Sequence, residues 1–166
     1  MAANCQLEHV GHSKPYRYMT RINYQSDFTL LVTLTNHEGD TMSPPSGHAW
    51  SVHISDDAGT CWRCGYDGSS YEDCAVDGDT IVCYVNNPGY VPGPLSVAFI
   101  NDIPNGSFAD DVETQVTPAT TSIMLVDGPT EGGTEASIDM MLQVIAPRVT
   151  AATVTMAGDL SLTFNT

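Results

Sequence analysis

The chain has 166 residues, 42% of them hydrophobic and only 15% charged, which excludes an intrinsically disordered chain and leaves room for one domain with its own core. Twenty acidic residues face five basic ones, a net charge of −15, so a nucleic-acid partner is excluded for want of a clustered basic surface. No stretch approaches 18 apolar residues and "MAANCQLEHVGHSKPYRY" lacks an apolar signal core, so neither a membrane span nor a secretory leader is expected.

The first 21 residues hold three of the five bases, Lys14, Arg17 and Arg21, against the single acid Glu8. The remainder carries 19 acids against Arg63 and Arg148. Residues 1–20 therefore read as a basic arm that rests on its own acidic body or on an acidic neighbour in an assembly, where complementary potentials steer docking.

From there the apolar residues recur with a period near two, the signature of half-buried strands. In "DFTLLVTLTN" Phe28, Leu30, Val32 and Leu34 point one way and Thr29, Thr33 and Thr35 the other. "AWSVHISD" repeats the pattern with Trp50, Val52 and Ile54. "TIVCYVNN" is apolar on both faces, as expected of a central strand, and "PLSVAFIND" alternates Leu95, Val97 and Phe99 with Ser96, Ala98 and Ile100. "TSIMLVDG" follows, then "ASIDMMLQVI", whose spacing fits a helix or a strand. The pair "ATVTM" and "LSLTF" closes the series through Ala157, Gly158 and Asp159. Between these runs lie "NHEGD", "SPPSG", "DDAGT", "YDGSS", "VDGDT", "NNPGYVPG", "IPNG" and "GPTEGG", which supply the residues that reverse a backbone.

The expected fold is all-β, an antiparallel β-sandwich of immunoglobulin-like or jelly-roll-like kind over residues 21–146, with extended terminal segments. Residues 147–166 form a β segment that cannot stand alone, since an isolated hairpin is marginal in water. It either closes the same domain or pairs with another subunit, for which Val154, Leu160, Leu162 and Phe164 are the apolar contacts. Lys14, Arg17 and Arg21 are the corresponding electrostatic contacts.

Cysteines are the first candidate for chemistry. "CWRC" places Cys61 and Cys64 at knuckle spacing, with Cys74 and Cys83 downstream, but a structural zinc needs four converging ligands and a second close pair is missing. Thiols without metal are the expectation, with zinc on Cys61, Cys64, Cys74 and Cys83 the alternative. "YDGSSYED", "VDGDT" and "ADDVE" gather carboxylates without the EF-hand spacing and read as solvated turns. No HExxH, nucleophile elbow or phosphate-binding glycine loop occurs, so no catalytic residue and no cofactor is expected. Trp50, Trp62, Tyr66, Tyr71, Tyr84 and Tyr90 lie on strands and adjoining loops and could form a sugar-stacking platform, with Trp50, Trp62 and Tyr90 its named contacts, the alternative to a role in the core.

The ordered run "INYQSDFTLLVTLTNHEGD", "HAWSVHIS", "DGDTIVCYVNN", "PGPLSVAFINDIPNGSFADD" and "TSIMLVDG" resembles the amino-terminal domain of baseplate upper proteins of tailed bacteriophages and is similar to phage and prophage proteins of gut Bacteroidetes. The similarity covers roughly residues 22–127, and "CWRC" is not part of the family's pattern. It implies a β-sandwich whose "PNGSFADD" connects two strands. It also implies a non-enzymatic structural role in a virion assembled in the host cytoplasm: adaptor, fibre or spike anchor, or decoration. The partners implied are other virion proteins and copies of the same chain, a trimer being favoured, with a host surface glycan as a further partner. A carbohydrate-binding or adhesion module is the alternative function.

Overall fold

Residues 20–119, 121–128 and 134–142 are described by a computed structural model, together with the backbone of two short strands, 151–153 and 163–165. Fifteen strands and no helix form in these residues: β1 Thr20–Asn23, β2 Phe28–Thr35, β3 Thr41–Met42, β4 Trp50–Ser55, β5 Cys61–Tyr66, β6 Tyr71–Glu72, β7 Cys74–Asp77, β8 Thr80–Val85, β9 Gly93–Pro94, β10 Ser96–Pro104, β11 Val112–Ala119, β12 Ile123–Val126, β13 Glu135–Met141, β14 Ala151–Thr153 and β15 Thr163–Asn165.

One sheet runs β11-β10-β4-β5-β6; a second runs β13-β2-β8-β7, with β3 also paired to β2. A small third sheet, β1-β12-β9, completes the body, and β14 pairs with β15. The alternation read from sequence decides what each strand buries. Along β2 the residues Phe28, Leu30, Val32 and Leu34 are buried while the residues between them are half-exposed, and β4 does the same with Trp50, Val52 and Ile54. Together with Val97 and Phe99 from β10, Ile81 and Cys83 from β8, Ile138 and Met140 from β13, and Ile22, Ile123 and Leu125 from the small sheet, these form one hydrophobic cluster. Each such side chain, once fully buried, contributes about 1.5 to 3 kcal/mol.

The segment "ASIDMML" is a strand, not a helix: β13 alternates exposed and buried residues along its whole length. Two expectations need correction. Two of the strand pairings are parallel, β1 with β12 and β2 with β13, because the connecting chain in each case runs through the whole body and returns in the same direction. "TIVCYV" is an interior strand of its sheet but is apolar-buried on one face only, with Tyr84 54% exposed on the other.

Loop chemistry sets the connections. The "PNGSFADD" stretch joins β10 to β11 as a hairpin: Asn105 N donates to the Asp111 carbonyl at 2.8 Å, Ser107 N donates to Asn105 Oδ1 at 3.0 Å, and Asp111 takes a positive φ of 59°. Asp73, with φ of 53°, lies between β6 and β7, where the chain leaves the first sheet for the second. Such a φ is several-fold enriched in Asp and Asn relative to other residues with a side chain.

Candidate functional site

Close approach of two strands shapes a groove in which aromatic and charged side chains gather. Ser51 on β4 faces Gly65 on β5, and a Cβ at Gly65 would overlap the Trp50 carbonyl oxygen and lie 2.9 Å from Ser51 Cα. The bare glycine leaves a floor, and the β5–β6 turn rises beside it. Asp67 holds that turn: its Oδ1 accepts from Ser69 N and Ser70 N, both at 2.7 Å. These bonds hold the Asp67 carboxyl well below the usual carboxylate range. The resulting groove encloses about 500 Å³.

Its aromatic wall is Tyr66 and Tyr71, with ring centroids 4.8 Å apart and planes tilted by 35°. Tyr71 is 49% exposed. Behind them Trp50 lies 6.2 Å from each ring and stacks on Phe99 at 5.7 Å, so the wall is backed by the core. Arg63, Glu72 and Asp102 supply charge along the rim. On the neighbouring position of the same face His53 pairs with Arg63 across β4 and β5; burial lowers its pKa, the Arg63 charge lowers it further, and Asp102 opposes both.

A separate buried carboxylate is structural. Asp56 is 6% exposed and accepts from Thr60 N at 2.8 Å through Oδ1 and from Val91 N at 2.9 Å through Oδ2. Burial works to raise its pKa, yet the hydrogen bonds from Val91, Thr60 and Ala58 outweigh it and hold the group below its ordinary value. It thereby ties the β4–β5 turn to the loop that leads into β9. Tyr90 reinforces this tie by donating from its hydroxyl to the Ile54 carbonyl at 2.9 Å, and burial pushes its pKa up.

The residues singled out in the sequence fall in different places. Trp50 and Tyr90 are each 2% exposed and belong to the core, one of the two roles weighed for them, and so are too buried to stack on a sugar; Trp62 is half-buried and packs against the same core. Of the six aromatics, Tyr66 and Tyr71 are the ones that form an aromatic surface. Their signal was the turn "GYDGSSY", in which two tyrosines flank a tight reversal and are brought together by it. Cys64, Cys74 and Cys83 are buried, whereas Cys61 is exposed near the start of β5, so the four thiols do not converge as a zinc site requires. Among the described residues no group of three or more His, Cys, Asp or Glu side chains is arranged to hold a metal ion. Arg21 is exposed on β1, while Lys14, Arg17, Val154, Leu160 and Leu162 lie outside the described residues. Phe164 is in β15, its backbone paired with Ala152 of β14.

Comparison with protein-family models, with curated proteins and with solved structures finds no match to this chain.

Proposed function

We propose that this chain is a non-enzymatic structural protein of a tailed-bacteriophage virion, an adaptor, fibre or spike anchor, or decoration that joins its neighbours through its terminal segments. In this reading its packed sheets are a sandwich of immunoglobulin-like or jelly-roll-like kind. One observation supports the proposal: three features of the sequence that resemble baseplate upper proteins fall at strand boundaries of the all-β body. "DF" opens the long buried strand β2, the Gly- and Pro-bearing loop "NNPGYVPG" leads into β9 and β10, and "PNGSFADD" is a hairpin connection ahead of β11 and β12. The opposite charges of the first 21 residues and the acidic remainder support assembly between copies or with acidic partners. Light scattering of the full-length protein should give a trimer or larger species, and mass spectrometry of gradient-purified particles from a host carrying the gene should find the chain. A monomer at every concentration, absent from the particles, overturns the proposal.

The groove favours a second reading, a carbohydrate-binding or adhesion module. An exposed tyrosine pair backed by the core, with polar and charged groups on its rim, offers both the apolar face and the hydrogen-bond partners that a sugar ring needs. A glycan array should then show binding that Tyr71→Ala abolishes while the thermal melt is unchanged. An array blank for the parent protein rejects this reading and leaves the first untouched.

A further inference from the structure

Three cysteines from three strands meet in the core. Cys64 lies on β5 of the first large sheet, while Cys74 opens β7 and Cys83 lies on β8, both in the second. Cys74 and Cys83 are direct cross-strand partners. Tyr84 N donates to the Asp73 carbonyl at 3.0 Å, so the hydrogen-bonded pair is the neighbouring one and Cys74 faces Cys83 at a non-hydrogen-bonded position. Cys64, buried in the opposite sheet, is near enough for Cys74 and Cys83 both to shift its pKa, and it shifts that of Cys74 in turn. Cys74 Sγ also donates to the Gly65 carbonyl, the residue next to Cys64, at 3.2 Å. The Cys74 side chain thus reaches across the sheets to the backbone beside Cys64, where a disulfide asks for Cα separations of about 4.4 to 6.8 Å.

We propose that Cys64 and Cys74 are a disulfide-forming pair, closed once the protein meets an oxidising medium, and that the bond staples the two large sheets together. Cys74 takes the oxidant first. It lies on the edge strand of its sheet and is the most accessible of the three at 9% exposure, against 1% for Cys64 and 0% for Cys83. With a low-molecular-weight disulfide as oxidant, the Cys74 thiolate attacks one of its sulfurs and expels the first thiolate. The Cys64 thiolate then attacks Cys74 Sγ in the mixed disulfide and expels the second. Two protein thiols lose two protons and two electrons, and the oxidant leaves as two thiols. Cys83 keeps its thiol.

The same surroundings make closure slow. The neighbouring Cys64 side chain and then burial push the Cys74 thiol up, and at Cys64 the opposing effect of Cys74 is outweighed by Cys83 and by burial, so that thiol is pushed up too. Few thiolates are present at neutral pH, so the staple forms on long exposure or at mildly alkaline pH. This inference does not rest on the virion reading, since it concerns the core alone.

The test uses the full-length chain with Cys5→Ser and Cys61→Ser, so that the three core thiols are the only ones left. The reduced protein is brought to a plateau in glutathione disulfide at alkaline pH, unfolded, alkylated and mapped by peptide mass spectrometry. The expected product carries a Cys64–Cys74 link with Cys83 alkylated, and melts higher than the reduced protein by about 5 to 10 °C. Adding Cys83→Ser should preserve both the link and the rise; adding Cys74→Ser should abolish both. Three alkylated thiols at the plateau, a Cys74–Cys83 link, or a rise that survives Cys74→Ser each overturn the proposal.

Discussion

Replacing Asp56 by alanine should be among the most damaging polar substitutions in the body. The carboxylate accepts Thr60 N at 2.8 Å and Val91 N at 2.9 Å in a setting only 6% exposed, and the alanine leaves both backbone donors without that partner. A hydrogen bond to a charged group contributes about 1.5 to 3 kcal/mol. Two such bonds set the expected loss at about 3 kcal/mol, a large share of the roughly 5 to 15 kcal/mol that keeps a domain folded. Asp56→Asn isolates the charge, since it keeps one carbonyl acceptor. Hydrogen bonding lowers the Asp56 pKa in the folded state, so its contribution is fully present above the unfolded value of about 3.9 and is lost as the pH falls through the lower, folded value. Urea unfolding of wild type and Asp56→Asn from pH 7 down to pH 2 should therefore show a gap that is constant at neutral pH and closes in acid. Effects of the other carboxylates cancel in the comparison. A gap that is absent at pH 7, or that widens below pH 4, refutes this account of the carboxylate.

Three further outcomes follow from the packing. Gly65→Ala drives a methyl group into the Trp50 carbonyl on the facing strand and should cost about 3 kcal/mol, read as a drop in urea midpoint; a melt like that of the parent contradicts the close approach. Tyr90→Phe removes the bond to the Ile54 carbonyl and should cost about 1 kcal/mol at neutral pH. Because the folded pKa of Tyr90 is raised, the tyrosine loses stability as the pH climbs above its unfolded value, so the phenylalanine variant should overtake or match the parent in alkali. Phe99→Ala empties the place beside Trp50 and should cost about 3 to 5 kcal/mol by calorimetry or urea unfolding, with a cost under 1 kcal/mol counting against a packed core there.

Strands with strict alternation, such as Phe28–Thr35 and Trp50–Ser55, were legible because each second residue must leave water. The short strands were not. Thr41–Met42, Tyr71–Glu72 and Gly93–Pro94 are two residues long, too brief for any period to register, and owe their pairing to neighbours far away in sequence. Val112–Ala119 was also missed, because it is an edge strand whose residues are half-exposed or exposed throughout, leaving no apolar stripe. The same reason governs the groove. Trp50 falls on the apolar face of its alternating strand and is buried there, whereas Tyr66 and Tyr71 become a site only when the Asp67 turn folds one back on the other. The meeting of Cys64 with Cys74 and Cys83 lies beyond any spacing rule, since it depends on how two sheets are stacked.

Both parallel pairings unite an early stretch of the chain with a late one: Thr20 to Asn23 with Ile123 to Val126, and Phe28 to Thr35 with Glu135 to Met141. On a ribosome, Thr20–Asn23 and Phe28–Thr35 must wait through the synthesis of all the intervening strands before their neighbours arrive. Non-local topology of this sort folds slowly and leaves nascent edges open to wrong partners in the meantime. Truncated nascent chains ending before residue 135 should accordingly remain sensitive to protease.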